Sequence, residues 1–231
     1  MEGKERIVVF SGAGVSAESG LKTFRDNDGL WENHEVTEVA TPEAWQRNPD
    51  LVLRFYNMRR KQLENAKPNP AHYAIAALES KYEVVVITQN IDDLHEQAGS
   101  KKVIHLHGEL KKVRSEKFPD LVYQTKKPEI QLGDLCEKGF QLRPHVVWFG
   151  EAVPMMDVAL QESSKADMLV VVGTSLNVYP AASLIHAIPD GIPAYLVDPN
   201  IPNMDFSNNW TLLQEKAGVG MPKLCDLLIG Q

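Results

Sequence analysis

The run Ile7-Val8-Val9-Phe10, followed almost at once by Gly12-Ala13-Gly14-Val15-Ser16-Ala17-Glu18-Ser19-Gly20, constrains this chain more than any other stretch. The apolar, β-branched run reads as a strand buried on both faces. Gly12 and Gly14 allow a tight turn and a close approach of backbone to a ligand. The residues after the turn read as a helix, with Ala17 small enough to let it pack on the strand. Backbone N–H groups at such a helix start would face an anion such as a pyrophosphate. The pattern G-x-G-x-x-A therefore sits in the strand–turn–helix context it needs. Taken alone it fits equally well a glycine turn that merely joins two elements.

Similar apolar runs recur at Val84–Ile87, Val103–Leu106, Val146–Phe149, Met168–Val172 and Ala194–Val197. Helical stretches fall between them: Ala71–Leu78 behind Asn69-Pro70, Asp92–Gln97, Asp157–Lys165 and Pro222–Ile229. Uniformly apolar strands alternating with helices predict an α/β fold, a Rossmann-type doubly wound parallel sheet. Two gaps interrupt the alternation. The first holds the helical stretches Glu43–Asn48 and Leu51–Asn65; the second, Lys111–Arg143, is rich in Lys, Glu, Pro and Gly. Both exceed what a simple crossover needs. The expectation is a large domain from residues 1–27, 70–110 and 145–231, and a smaller lobe from residues 28–69 and 111–144. The cleft between them is the default ligand site.

Charge and cysteine usage narrow the class. A net charge of −7 argues against broad binding of nucleic acid or acidic membranes. Cys136 and Cys225 are the only cysteines, so no disulfide framework is expected, in keeping with a reducing cytosol. No apolar leader precedes the first strand and no run is long enough to span a bilayer. A cytoplasmic protein is expected.

A nicotinamide dehydrogenase of this fold carries an acidic residue at the end of its second strand, about 20 residues beyond the glycines. Here that position falls in Leu30-Trp31-Glu32-Asn33-His34, with no strand before it, and the second strand ends instead in Thr88-Gln89-Asn90-Ile91-Asp92. Hydride transfer is disfavoured accordingly. Two amides and a carboxylate at a strand's carboxyl end suit sugar hydroxyls and a carboxamide, although one of them is expected to cap the next helix. His105 and His107 fall on one face of the third strand by alternation, with no third metal ligand at recognisable spacing. His107, before Gly108, lies where a neutral imidazole can act as a general base. Gly173-Thr174-Ser175 and Asp198-Pro199-Asn200 end further strands at the same edge.

Taken with Phe24-Arg25, Arg143-Pro144-His145-Val146-Val147-Trp148-Phe149-Gly150-Glu151 and Gly-Thr-Ser-Leu-Asn-Val-Tyr-Pro-Ala from Gly173, these motifs resemble, in order and over nearly the whole chain, the sirtuins, NAD-dependent protein-lysine deacylases. The resemblance implies that Gly12, Ala13, Gly14 and Ser16 line the phosphates and ribose of NAD. It places Phe24, Arg25 and Trp31 against the cofactor, and Gln89, Asn90, Ile91 and Asp92 at its nicotinamide half. Gly173, Thr174, Ser175, Asp198, Asn200 and Ala217 fall at the adenosine half. His107 is then the base, with Asn90 its catalytic companion. Val147 and Phe149 line the acyl-lysine tunnel, with the Val146–Phe149 backbone pairing an acylated peptide by strand addition. The implied reaction consumes NAD, releasing nicotinamide, free lysine and O-acyl-ADP-ribose.

Tyr56 and Arg59 share a helix face and can clamp a carboxylate. A solvated basic face is the plainer reading, given Arg54, Arg60 and Lys61. The pair resembles the Tyr-x-x-Arg of the sirtuin subgroup that removes succinyl and malonyl groups, and Ala40 its pocket-widening small residue. In most sirtuins two cysteine pairs hold a structural zinc. Here the second gap contains only Cys136, Ser115 stands where the first cysteine is expected, and no histidine is present, so no zinc is expected. Packing by Phe118, Leu121, Val122, Tyr123, Ile130, Leu132, Leu135 and Phe140 would have to replace it. Mono-ADP-ribosyl transfer and non-catalytic sensing of NAD are the alternatives; the Tyr56/Arg59 pair weighs against the first, and His107 with Asn90 against the second.

Overall fold

A computed structural model describes residues 3–21, 30–31 (backbone only), 34–125, 127–176, 178–203 and 205–230. In chain order the elements are β1 (Arg6–Ser11), α1 (Gly14–Ala17), β2 (Leu30–Trp31), β3 (His34–Glu35), α2 (Val36–Val39), α3 (Pro42–Arg47), α4 (Pro49–Asn65), α5 (Pro70–Ala77), β4 (Glu83–Thr88), α6 (Leu94–Gln97), β5 (Val103–His105), β6 (Gly108–Ser115), β7 (Val122–Gln124), β8 (Leu142–Val146), α7 (Met156–Ser163), β9 (Met168–Val172), β10 (Ala194–Val197), β11 (Trp210–Leu213) and α8 (Ala217–Gly230).

Six strands form a parallel sheet in the order β11-β10-β9-β1-β4-β5. Its central strands are apolar at every position because both faces are covered. Ile7, Val9, Val84, Val86, Val170 and Val172 face α5 and α8. Val8, Phe10, Val85, Ile87, Leu169 and Val171 face α7 and the 3₁₀ turn Ala181–His186. The chain leaves β1 first toward β4 and later returns on its other side as β9. The carboxyl ends of β1 and β9 therefore flank a topological switch point, where such sheets bind ligands.

The smaller lobe has its own core. Val52, Phe55, Tyr56 and Leu63 make one stripe of α4 and pack with Val39, Ala44, Trp45, Val113 and Ile130. The antiparallel sheet β7-β6-β8 closes it. No helix of the described residues is long and apolar enough to cross a membrane.

Three expectations are corrected by the fold. Val146–Phe149 is not a strand: β8 ends at Val146 and belongs to the antiparallel sheet, because the amides beyond it bond to three unrelated partners. The last helix begins at Ala217 and runs through Pro222; Glu18 from the glycine turn accepts from Gly218 N at 2.7 Å and starts the helix upstream. Ala17 is exposed, and Val15 is the α1 residue that packs on the sheet.

Candidate active site

The glycine turn is built against β9. Gly12 N donates to Val172 O and Gly14 N to Gly173 O, while Val15 N and Ser16 N bond back to Gly12 O and Ala13 O. A Cβ on Gly12 would stand 2.7 Å from Thr174 Cβ, and one on Gly14 2.8 Å from Gly173 Cα. The glycines are thus required by the contact between two strand ends. The helix-start amides expected to face an anion are consumed internally; Ala13 N is the amide of this turn left without an acceptor among the described residues.

Beside the turn, Ser16 Oγ ties three predicted residues together. It donates to Asp92 Oδ2 at 3.0 Å and accepts from Asn90 Nδ2 at 3.0 Å. Asp92 Oδ1 accepts from Leu94 N, so this carboxylate also caps the start of α6. Burial pushes the Asp92 carboxyl up, opposed by the Leu94 and Ser16 hydrogen bonds. Asn90 N donates to Thr88 Oγ1, and Gln89 Nε2 to Thr174 Oγ1 across the switch point. Gly173 N bonds Val197 O, bringing the β10 end alongside, where Asp198 Oδ1 accepts from Asn200 N. Gly12, Ala13, Gly14, Ser16, Gln89, Asn90, Asp92, Gly173, Thr174, Asp198 and Asn200 therefore meet along one edge of the sheet. Ala217 is buried at the first position of α8, and Ser175 is half-buried in the turn after β9. Phe24 and Arg25 lie outside the described residues, as does the Trp31 side chain.

His107 lies past the end of β5, in the turn to β6. Its Nδ1 is 3.0 Å from Gln89 O. A carbonyl only accepts, so Nδ1 carries the proton and Nε2 keeps its lone pair. Burial lowers the His107 pKa, against the effect of the Gln89 carbonyl, so the ring is neutral at pH 7. That is the tautomer and charge state of a base. His105 is not its partner in a metal pair: its nitrogens bond Asn90 O at 3.0 Å and Glu96 Oε1 at 2.7 Å.

The side expected to receive the acyl group is a buried polar chain. Tyr56 Oη accepts from Trp148 Nε1 at 3.1 Å, and the Arg143 guanidinium stacks 3.2 Å from the Trp148 ring. Glu151 accepts from Arg143, Arg114 and Trp148 N. Burial pushes the Glu151 carboxyl up, but the Arg143 guanidinium and its neighbours outweigh this and hold it low. Burial drives the Tyr56 pKa well above its ordinary value. Arg59 is buried on the same face, with Nη1 donating to Gln62 Oε1 at 3.0 Å. Arg60 is also buried, donating to Leu110 O and Lys112 O, and burial lowers it to about 10. The face carrying Tyr56 and Arg59 is therefore not a solvated basic one; only Arg54 and Lys61 are exposed. Ala40 is buried in the same core, and Val147 and Phe149 follow β8.

In the Val146–Phe149 segment, whose backbone is expected to pair a peptide, Val147 N donates to His107 O, Trp148 N to Glu151 Oε2 and Phe149 N to Ala40 O. Arg143, Trp148 and Glu151 were not assigned roles from sequence. The signal was present in opposite charges bracketing an apolar run that contains a tryptophan.

The donor set of the smaller lobe does not fit a tetrahedral thiolate zinc. Cys136 Sγ donates to Ser115 Oγ at 3.4 Å, and that oxygen accepts from Lys117 N and Phe118 N. Among the described residues no three His, Cys, Asp or Glu side chains cluster as metal ligands. Of the residues expected to pack this region, Ile130 is buried, whereas Val122, Leu132, Leu135 and Phe140 are exposed. Gln141 carries much of the load instead, donating to Gln131 O, Asp134 O and Leu142 O and accepting from Gly133 N.

A parallel sheet, its switch point and an amide-rich strand end beside a neutral histidine define an α/β protein of the dinucleotide-binding class. The Sir2 family signature matches residues 12–180, and the chain belongs to the Sir2 family. It is 53% identical over 226 residues to an NAD-dependent protein deacylase of Helicobacter pylori, covering 97% of this chain and 98% of that one. It is 50% identical over 230 residues to one of Bacteroides thetaiotaomicron, covering 97% and 98%. A Sir2 homologue solved as an NAD complex superimposes with a TM-score of 0.88 at 40% identity, over 98% of this chain and 90% of its own.

Proposed function

We propose that this chain is an NAD-dependent protein-lysine deacylase acting on acylated proteins or peptides, with His107 as its general base. The observation that carries the reading is the His107 Nδ1–Gln89 O hydrogen bond, which leaves a neutral, proton-accepting Nε2 beside Asn90 and the Ser16–Asp92 pair. The amides, hydroxyl and carboxylate at this edge fit the hydroxyls and carboxamide of a nicotinamide riboside. When bound, NAD supplies an anomeric carbon activated by nicotinamide as leaving group, onto which the acyl oxygen of the modified lysine transfers. Gln89, Asn90 and Asp92 hold and orient that half; Ala13, Gly173, Ser175 and Asn200 hold the remainder. His107 Nε2 would take the proton of a ribose hydroxyl, freeing it to attack the acyl carbon and expel the lysine amine; one water molecule then completes the ester, so that NAD, acyl-lysine and water give nicotinamide, free lysine and O-acyl-ADP-ribose. The division into residues 1–27, 70–110 and 145–231 against 28–69 and 111–144 belongs to this reading. It is supported by the separate core of the lobe, which borrows Leu94, Leu110, Val146 and Trp148 from the larger part.

His107→Ala and Asn90→Ala are the tests. Incubation with NAD and acetyl-lysine peptide, followed by mass spectrometry, should give free lysine and O-acyl-ADP-ribose with the wild type. Each variant should lose turnover by at least about a hundredfold at an unchanged melting temperature. Near-normal turnover in either overturns the assignment, and a heavier, ADP-ribosylated protein would favour the transferase alternative.

The acyl range includes succinyl and malonyl groups. Supporting this, Arg59 and Tyr56 are buried on one face of α4, in the core that also holds Ala40 and Trp148. A guanidinium in a largely apolar wall suits an incoming carboxylate. Arg59→Met should lower succinyl turnover about tenfold or more relative to acetyl turnover on matched peptides. Equal losses on the two peptides would dismiss the clamp.

A further inference from the structure

The turn that follows β4 is held by its carbonyls. Thr88 O accepts from Leu106 N, Gln89 O from His107 Nδ1, Asn90 O from His105 Nδ1 and Ile91 O from Leu110 N. Four consecutive carbonyls are thus fastened to one short segment, residues 105–110. The outer two use backbone amides, which do not titrate. The inner two, on the residues assigned to the nicotinamide half, use imidazoles.

His107 is accounted for as the base. His105 is not used by the reaction, yet it is buried and bonded at both nitrogens, to Asn90 O at 3.0 Å and Glu96 Oε1 at 2.7 Å. A carbonyl and a carboxylate are both acceptors, so both nitrogens must donate and the ring is an imidazolium. Asn90 is then gripped at three of its polar groups: N to Thr88 Oγ1, Nδ2 to Ser16 Oγ and O by His105. We propose that His105, braced by Glu96, is a positioning residue that fixes Asn90 for the deacylation reaction. This rests on the deacylase reading of the same site.

The charged groups around His105 come from three elements. Glu96 and the neutral His95 are on α6, Asp92 is on the turn before it, and Glu109 is on β6, where Lys112 pairs with it. Burial opposes the charge, but the Glu96 hydrogen bond and attraction prevail and raise the pKa of His105. When the ring does lose a proton, the carboxylate holds the one that remains, because a charged acceptor is the stronger. The Asn90 carbonyl then loses its donor. A glutamine at position 96 reverses this outcome: its amide donates to Nε2, and the neutral ring keeps its proton on Nδ1, facing Asn90.

The test compares wild type, His105→Leu, His105→Asn and Glu96→Gln for NAD-dependent deacylation of one acetyl-lysine peptide from pH 6 to 10, with NAD affinity by calorimetry. His105→Leu should lower kcat about tenfold or more with the peptide KM within about twofold. His105→Asn, whose amide nitrogen can replace Nδ1, should recover most of that loss. Wild-type kcat should fall on the alkaline side, and Glu96→Gln should lose that alkaline fall. Wild-type kcat in His105→Leu, equal impairment in His105→Asn, or an unchanged alkaline limb in Glu96→Gln overturns the proposal. If His105→Leu does not fold, the other two variants decide. A wild type without turnover would overturn the deacylase reading instead, and the same ranking of variants by NAD affinity would still decide the role of His105.

Discussion

At the scale of single residues, the site is a set of buried imidazoles in different charge states, each set by its partners. His72 Nδ1 accepts from Asn69 N, so Nε2 carries the proton toward Ser16 Oγ, 3.4 Å away. His95 is fully buried, 4.9 Å from the His72 ring, with Nε2 on Ser11 Oγ. Ser11 in turn donates to Thr88 Oγ1, which accepts from Asn90 N. Burial lowers His72 from 6.5 to about 4 and His95 well below its ordinary value. A histidine whose folded pKa is depressed contributes stability above its unfolded pKa, lost as pH falls through the folded one. For His72 the window is pH 6.5 to about 4, worth roughly 3 kcal/mol when complete. Denaturant midpoints at pH 7 and pH 4.5 should show a marked acid loss in the wild type and a smaller one in His72→Gln. An equal acid loss in both proteins would show that His72 does not carry it.

Among the elements, the β5–β6 turn matters most, because it carries His107, the residue proposed as the base. Gly108 opens β6 with φ +79°, and a Cβ there would stand 2.1 Å from His145 O on β8. The left-handed backbone and the clash together make glycine obligatory. Gly108→Ala should lower stability by at least about 2 kcal/mol and, by displacing His107, reduce kcat more than tenfold. A wild-type denaturation midpoint would refute the packing argument. The same element shows where the sequence was legible and where it was not. Ile7–Phe10, Val84–Ile87 and Met168–Val172 announce themselves because both faces of the sheet are covered, so every position is apolar. β6 reads Gly-Glu-Leu-Lys-Lys-Val-Arg-Ser, and its irregular register between Gly108 and Val113 breaks the alternation that would reveal a strand. β11 escaped because Thr211 and Leu212 are exposed on a sheet edge. Strand-end motifs pointed to Asn90, Asp92 and His107 because their chemistry is local. Ser11, His72 and His95 stayed hidden because the links that bring them to the site, Ser11 to His95 and His72 to Ser16, span 84 and 56 residues.

For the whole molecule, the question is how a lobe with one cysteine keeps its place over the sheet. The large part is held from both faces of the sheet by two apolar clusters. The lobe shares a third cluster with it, through Leu94, Leu110 and Trp148, so apolar packing joins the two. At the far end of β6, Ser115 Oγ gathers Lys117 N, Phe118 N and Cys136 Sγ by hydrogen bonds. Phe118 and Phe140 meet edge to face at 5.4 Å, and Lys138 Nζ lies 4.1 Å from the Phe118 ring centroid. Gln141 binds the adjoining turn with four hydrogen bonds. A structural zinc contributes folding free energy directly, so removing one from a lobe that needs it lowers stability steeply. The prediction is that the purified protein carries no stoichiometric zinc by elemental analysis. Dialysis against a strong chelator should leave both the melting temperature and deacylation unchanged. Gln141→Ala, by contrast, should lower the melting temperature by several degrees, since it leaves carbonyls without their donor. A chelator-induced fall in melting temperature, reversed by added zinc, would mean that the lobe holds a metal after all.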